Sequence, residues 1–195
     1  MRKIRQTMVL MCLLTLLLAV PALAQKIELA VGAGGYFPVN LTGVGNAAAI
    51  EGSVAYRVAS VPLLSAYVEV PVVGTLNSSV TTLGLTSSAS YSALFVAPGL
   101  RVKFAPGFLV SPWFAAGGGL AHFSANSGLR QLGGSDSTNT NVFDYGGGLD
   151  IKIAPYLSVR GEVRDFYSGG LGFSLATFNQ RQHNIVTTGG LVFRF

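Results

Sequence analysis

The chain is short of charge, cysteine and histidine, and each shortage removes a class of function. Charged side chains make up 11% of its 195 residues, against about 25% in ordinary soluble domains. Half of the residues are apolar, so there is too little charge to cover a water-facing surface. The single cysteine, Cys12, sits inside the apolar N-terminal stretch behind Met11, which is not the setting of a lipid-modified cysteine. Past that stretch there is no thiol, and disulfides and thiolate metal sites are excluded. His122 and His183 are the only histidines, too few for a convincing metal site, so neither metal nor cofactor is expected. A second long apolar run is also missing, which argues against helical membrane spans.

What is present begins with a three-part leader. Arg2, Lys3 and Arg5 form a basic front, Met8 to Val20 an apolar centre, and Ala22-Leu23-Ala24 a small-residue exit. These parts predict a secretory signal peptide over residues 1–24, cut between Ala24 and Gln25. The apolar centre has 13 residues, short of the roughly 20 that cross a bilayer as a helix. Removal of the leader leaves ten basic and eight acidic side chains, a net charge of +2. The sequence pI near 9.6 therefore reflects the leader in part and gives no reason to expect nucleic acid.

Residues 25–195 read as one all-β domain. Segments of about ten residues alternate in polarity between turn-rich stretches, the trace of a transmembrane barrel. Strands are predicted near 26–36, 48–58, 63–73, 92–104, 108–122, 142–153, 156–167 and 184–195. Tight connections fall at Ala59 to Pro62, Ala105-Pro106-Gly107 and Ala154-Pro155; long ones, rich in Ser, Thr, Asn and Gly, fall near 37–47, 74–91, 124–141 and 168–183. The fold class that follows is an eight-stranded antiparallel up-and-down transmembrane β-barrel behind a cleavable signal peptide. An even strand count puts both termini on the tight-turn side, expected in the periplasm of the cell envelope, with the long connections facing outward.

The charges decide which face points where. In IEGSVAYRV, Ile50, Val54, Tyr56 and Val58 share one face, while Glu51, Ser53, Ala55 and Arg57 share the other. Leu157, Val159 and Val163 likewise oppose Ser158, Arg160, Glu162 and Arg164. A soluble barrel with charges outside would bury the aliphatic face; a membrane barrel does the reverse, because lipid penalises an outward Arg or Lys at mid-depth by ~2–4 kcal/mol. Only Arg130, Asp136 and Arg181 lie clearly in loops. Charges outside the lumen would therefore be few, and a water-facing aliphatic belt would aggregate. The membrane reading is preferred, with outer-membrane lipid as the surrounding partner and a monomer as the expected state.

The strand phase places Arg57, Arg101, Lys103, Lys152, Arg160, Arg164 and Arg194 in the lumen with Glu28, Glu51, Glu69, Asp144, Asp150 and Glu162. Near-equal numbers of both signs predict a paired network that plugs the barrel. The turn at Pro155 predicts Asp150 opposite Arg160. A selective pore would show one dominant sign, so a narrow channel for ions or small solutes is the alternative rather than the first reading. The Gly-rich runs at 32–35, 117–119 and 146–148 lack phosphate-loop spacing and precede no helix. They are read as lumen positions that make room for large neighbours. Tyr36, Phe37, Tyr67, Phe104, Phe108, Trp113, Phe123, Phe143, Tyr156, Phe166, Tyr167 and Phe195 fall near strand ends and are expected in interface girdles. Pro98 is expected mid-strand on the lipid face, the phase of 108–122 is left open by the adjacent Trp113 and Phe114, and Asp165 takes the lipid phase.

The sequence ends TGGLVFRF, and Thr188, Gly190, Phe193 and Phe195 match the polar-x-Gly-x-x-aromatic-x-aromatic ending that outer-membrane barrels present to the barrel-assembly machinery. With GAGGYF, FAAGGGLAHF and the terminal GLVFRF, residues 26–195 resemble the OmpA-like outer-membrane β-barrel superfamily. The resemblance implies an outer-membrane location. It covers the barrel alone, so wall tethering by a following peptidoglycan-binding domain is not carried over. A second, shorter likeness is to barrel-embedded lipid A deacylases, which use a His-x-Ser pair and a downstream carboxylate. His122, Ser124 and Asp136 are the matching positions, but Ala125 interrupts the deacylase pattern and Asp136 stands for a Glu. The sequence is accordingly expected to be non-enzymatic, with a structural role and a recognition surface for an extracellular ligand on its four long loops.

Overall fold

The structure, a computed structural model, describes residues 26–39, 44–80, 89–125, 137–169 and 181–195. The leader with its Ala24–Gln25 junction, Arg130 and Asp136 lie outside the described residues. Ten strands are described: β1 (Ile27–Val39), β2 (Ala47–Val61), β3 (Leu64–Thr75), β4 (Ser78–Val80), β5 (Ala89–Val96), β6 (Gly99–Phe104), β7 (Val110–Ala125), β8 (Ser137–Ala154), β9 (Leu157–Ser168) and β10 (His183–Arg194). No helix is present among the described residues.

These strands make a closed ring of eight antiparallel staves. β5 and β6 form one stave, since both pair with β3 on one side and β7 on the other. The break between them is at Ala97-Pro98, where proline has no N–H for the ladder. The neighbouring strand answers through its own amide: Gly118 N donates to the Pro98 carbonyl at 3.1 Å. β4 is a short extension that pairs only with β5. β10 pairs with β1, and the final peptide is tied in by Phe195 N to Ile27 O at 2.9 Å. Among the described residues closure leaves none of the eight staves with a free edge, β4 alone having one partner, and a lipid-facing sheet requires this because each unpaired backbone group in hydrocarbon costs several kcal/mol.

Both described ends of the chain, Lys26 and Phe195, lie at the tight-turn end of the ring. At one of these turns Ala105 takes a left-handed conformation (φ 47°), and its carbonyl accepts from Phe108 N and the Ser111 hydroxyl. Alternation then sorts the staves by face. Outside, Leu29, Val31, Ile50, Val54, Leu100, Leu149, Ile151 and Val163 are exposed. Inside, Glu28, Glu69, Arg101, Asp150 and Arg164 are buried.

The strands differ from the sequence expectation mainly at the long-connection end. β8 starts at Ser137 rather than near 142, because Leu120–Ser124 of β7 supplies partners for Ser137–Asn141. The ladder thus recruits a Ser-Thr-Asn-rich stretch that has no apolar face of its own. The open phase of β7 resolves with Trp113, Ala115, Ala121 and Phe123 inward and Phe114 and Leu120 outward.

Candidate functional site

Two chemically distinct storeys fill the lumen. The storey nearer the tight turns is ionic. Glu28 accepts from Arg101 at 2.5 Å, Lys103 at 2.6 Å and Arg194 at 3.1 Å. Asp150 holds Arg160 at 2.7 Å and Lys103 at 2.7 Å, and Asp150 and Arg160 face each other in register across the β8–β9 turn. Higher up, Arg164 reaches Glu69 at 2.6 Å, Asp144 at 2.7 Å and Glu162 at 3.0 Å. Arg101 joins the two groups through Glu69 at 3.3 Å.

Aromatic rings complete this storey. Trp113 lies 4.8 Å from the Arg160 guanidinium and 5.2 Å from that of Arg164; Tyr67 lies 4.9 Å from that of Arg101. Desolvated cations over aromatic faces gain ~2 kcal/mol or more. Gly148 leaves space on two sides: a Cβ there would meet the Gly161 carbonyl oxygen first, and would fall 2.8 Å from Trp113 Cζ2 and 2.9 Å from Glu162 Cβ.

The storey nearer the long connections is apolar. Phe95 stacks on Phe166 with centroids 4.8 Å apart and meets Phe123 edge-on at 5.8 Å. Val73, Ala93, Ala121, Val142 and Val186 pack around them. Three of its polar side chains are tied together: Tyr36 OH donates to Asn184 Oδ1 at 2.7 Å and contacts Tyr91 OH at 3.1 Å, while Asn184 Nδ2 donates to the Phe166 carbonyl at 2.6 Å.

The interior accounts for a correction to the girdle expectation. Tyr36, Tyr67, Trp113, Phe123 and Phe166 are buried in the lumen rather than set at the interfaces. Phe37, Phe104, Phe108, Phe143, Tyr156 and Phe195 do face outward. Position near a strand end fails to discriminate here, because strand phase and not height decides which side an aromatic takes. Tyr91, Phe95 and Asn184 belong to the interior and were not singled out by sequence. Their signal was the two-residue spacing of Tyr91, Ala93 and Phe95.

The remaining predicted positions are also placed. Glu51 is buried and accepts from the Thr188 hydroxyl at 2.9 Å. Arg57 and Lys152 are half-buried at the tight-turn mouth. Of the terminal motif, Thr188 thus points inward, Gly190 opposes Gly32, and Phe193 and Phe195 point outward.

The outer wall carries two polar clusters towards the long-connection end. Asp165 does take the outward phase, and it accepts from Tyr145 OH at 2.6 Å and lies 2.6 Å from His183 Nδ1. On the β7–β8 pair, Ser124 Oγ lies 3.1 Å from His122 Nε2, and His122 Nδ1 lies 2.6 Å from Asn139 Oδ1. The third position of this chain is Asn139, directly opposite His122 in the ladder, rather than a described carboxylate.

No protein-family model matches the sequence, and no curated protein does. Solved structures do match. Neisserial surface protein A superposes with a TM-score of 0.61 at 16% identity over 87% of this chain and 97% of its own. The outer membrane protein OprG from Pseudomonas aeruginosa gives 0.57 at 12% identity over 88% and 97%. The attachment invasion locus protein of Yersinia pestis, solved with the heparin analogue sucrose octasulfate, gives 0.56 at 13% identity over 87% and 98%. All three are outer-membrane-type barrels, and the closed eight-stave ring is their shared fold.

Proposed function

We propose that the protein is an outer-membrane barrel with a shut lumen, serving as a structural and surface protein that presents its long connections outside the cell. One observation carries this reading. The ring has an aliphatic exterior and an interior filled first by paired charges and then by packed aromatics. An aliphatic belt belongs in lipid, and the filled interior argues against the narrow-channel alternative.

In this reading the termini lie in the periplasm. Phe193 and Phe195, with Thr188 and Gly190, present the last strand to the barrel-assembly machinery. The protein acts as a monomer, since its own strands close the sheet. The four long connections predicted near 37–47, 74–91, 124–141 and 168–183 are where an extracellular ligand would be met. The test is surface labelling of intact cells with single cysteines at Gly107 and at residue 130. Reaction at 130 alone supports the orientation; reaction at 107 alone contradicts it. Shortening all four connections is expected to abolish binding of cells to host or matrix surfaces while leaving a heat-modifiable barrel. Unchanged binding would remove the recognition half of the reading.

A further inference from the structure

We propose that the tight-turn end of the barrel is a docking surface for an anionic phospholipid leaflet, with Lys26, Arg57, Lys152 and Arg194 as its cations. This surface presupposes the membrane barrel proposed above and adds a headgroup preference to it. Its shape comes from the turns. ASVPL (59–63), APGFL (105–109) and IAPYL (153–157) carry no charged residue. Val61, Leu63, Phe108, Leu109, Ile153 and Tyr156 are exposed there. Standing in water, these tips would form an apolar, aggregation-prone end. Set in the headgroup layer, they carry the aliphatic belt to its border, and Phe108 and Tyr156 supply interfacial rings. The barrel therefore ends inside the leaflet on this side and does not stand clear of it.

Charge selects the headgroup. Of the eight acidic side chains, Glu28, Glu51, Glu69, Asp144, Asp150 and Glu162 are buried in the lumen. Asp165 lies on the outer wall towards the other end, and Asp136 is outside the described residues. Among the described residues, the tight-turn end thus exposes no acidic side chain. It does present cations. Arg57 N donates to Lys26 O at 2.7 Å, which brings these two residues together, and Arg194 stands on β10 beside β1. β2 and β8 lie four staves apart in the ring of eight, so Arg57 and Lys152 stand on opposite sides of the mouth.

Lys26 is exposed, and Arg57, Lys152 and Arg194 are half-buried. Arg194 also serves Glu28 at 3.1 Å, whereas Lys26, Arg57 and Lys152 pair with no carboxylate among the described residues. Their lumen phase keeps all four off the hydrocarbon, while their long stems let the charged heads reach the plane of the turn tips. A headgroup need not touch them, because at 0.1 M salt their field extends about 10 Å. Each Lys or Arg beside an anionic surface strengthens binding about fivefold.

The test uses protein purified from membranes and reconstituted in phosphatidylcholine vesicles with a trace of spin-labelled phosphatidylglycerol or spin-labelled phosphatidylcholine. Electron spin resonance reads the fraction of each label held at the protein. Wild type is expected to hold phosphatidylglycerol several-fold in excess, and to lose that excess in about 1 M salt, where the field extends only about 3 Å. Combining Lys26→Gln, Arg57→Gln and Lys152→Gln leaves the Glu28 pairs in place and should bring the ratio close to one. Arg181→Gln, at the other end, should keep the excess; an equal loss there overturns the assignment to the tight turns. A fluorophore on Phe108→Cys should be shielded from a soluble quencher, and full quenching overturns the sunken end. An excess that free glycerol phosphate removes at equal ionic strength assigns the mouth to a soluble phosphate and overturns the lipid. Heat-modifiable migration checks the barrel separately. Its absence overturns both proposals, while equal retention of the two lipids by a migrating barrel overturns the docking surface alone.

Discussion

The two storeys of the lumen solve the same problem with opposite chemistry. Near the tight turns, ten charged side chains are buried, and their stability depends on each keeping its counter-ions: Glu28, Glu51, Glu69, Arg101, Lys103, Asp144, Asp150, Arg160, Glu162 and Arg164. Near the long connections, Phe95, Phe123 and Phe166 fill the space by contact alone, with Tyr36, Tyr91 and Asn184 hydrogen-bonded to one another beside them. A buried ion pair gains little over an apolar core of the same shape, yet losing one member is severe because the other charge stays behind. An aromatic contact degrades more gently, since its loss leaves a gap and not an uncompensated charge. The lower storey is therefore specific and brittle, and the upper one tolerant.

Substitutions can break that contrast. The largest effect is expected for Arg164→Met, which strips Glu69, Asp144 and Glu162 of their shared cation. It should cost ~3–5 kcal/mol, read as a lowered urea midpoint for loss of heat-modifiable migration in detergent. Gly148→Ala should follow at ~1–3 kcal/mol, because the new methyl meets the Gly161 carbonyl oxygen as well as Trp113 and Glu162. Phe95→Leu in the upper storey should cost only about 1 kcal/mol. A cost equal to that of Arg164→Met would erase the distinction. The smallest effect is expected for Tyr36→Phe, about 1 kcal/mol or less, since Asn184 keeps its bonds to Phe166 and Ser168.

The same contrast explains what could be read from the sequence. In the lower storey the wall separates lipid from charge, so alternation carried the phase: Leu157, Val159 and Val163 against Ser158, Arg160, Glu162 and Arg164 were sorted without a structure. In the upper storey both sides of the wall are apolar, and the alternation vanishes. Phe123 and Phe166 were assigned to the wrong side for that reason, and in the lower storey Trp113, an apolar ring set among the arginines beside Phe114, left the phase of β7 open in the same way. Above the belt both faces are polar, so Ser137–Asn141 looked like a loop until β7 paired with it.

The outer-wall chain was half legible. His122 and Ser124 show in the sequence because their spacing of two puts them on one face of a strand. Asn139 does not, because its place opposite His122 depends on the β7–β8 register, which no local signal encodes. The resemblance to lipid A deacylases offered Asp136 as the third member, which lies outside the described residues; among the described ones the ladder sets the Asn139 amide opposite His122.

Whether the two storeys together shut the barrel, as proposed, is read most directly from bilayer conductance. Wild-type protein inserted in a planar bilayer should give no discrete current steps at any voltage the membrane survives. Steady single-channel openings from the folded, heat-modifiable species would mean that the lumen conducts.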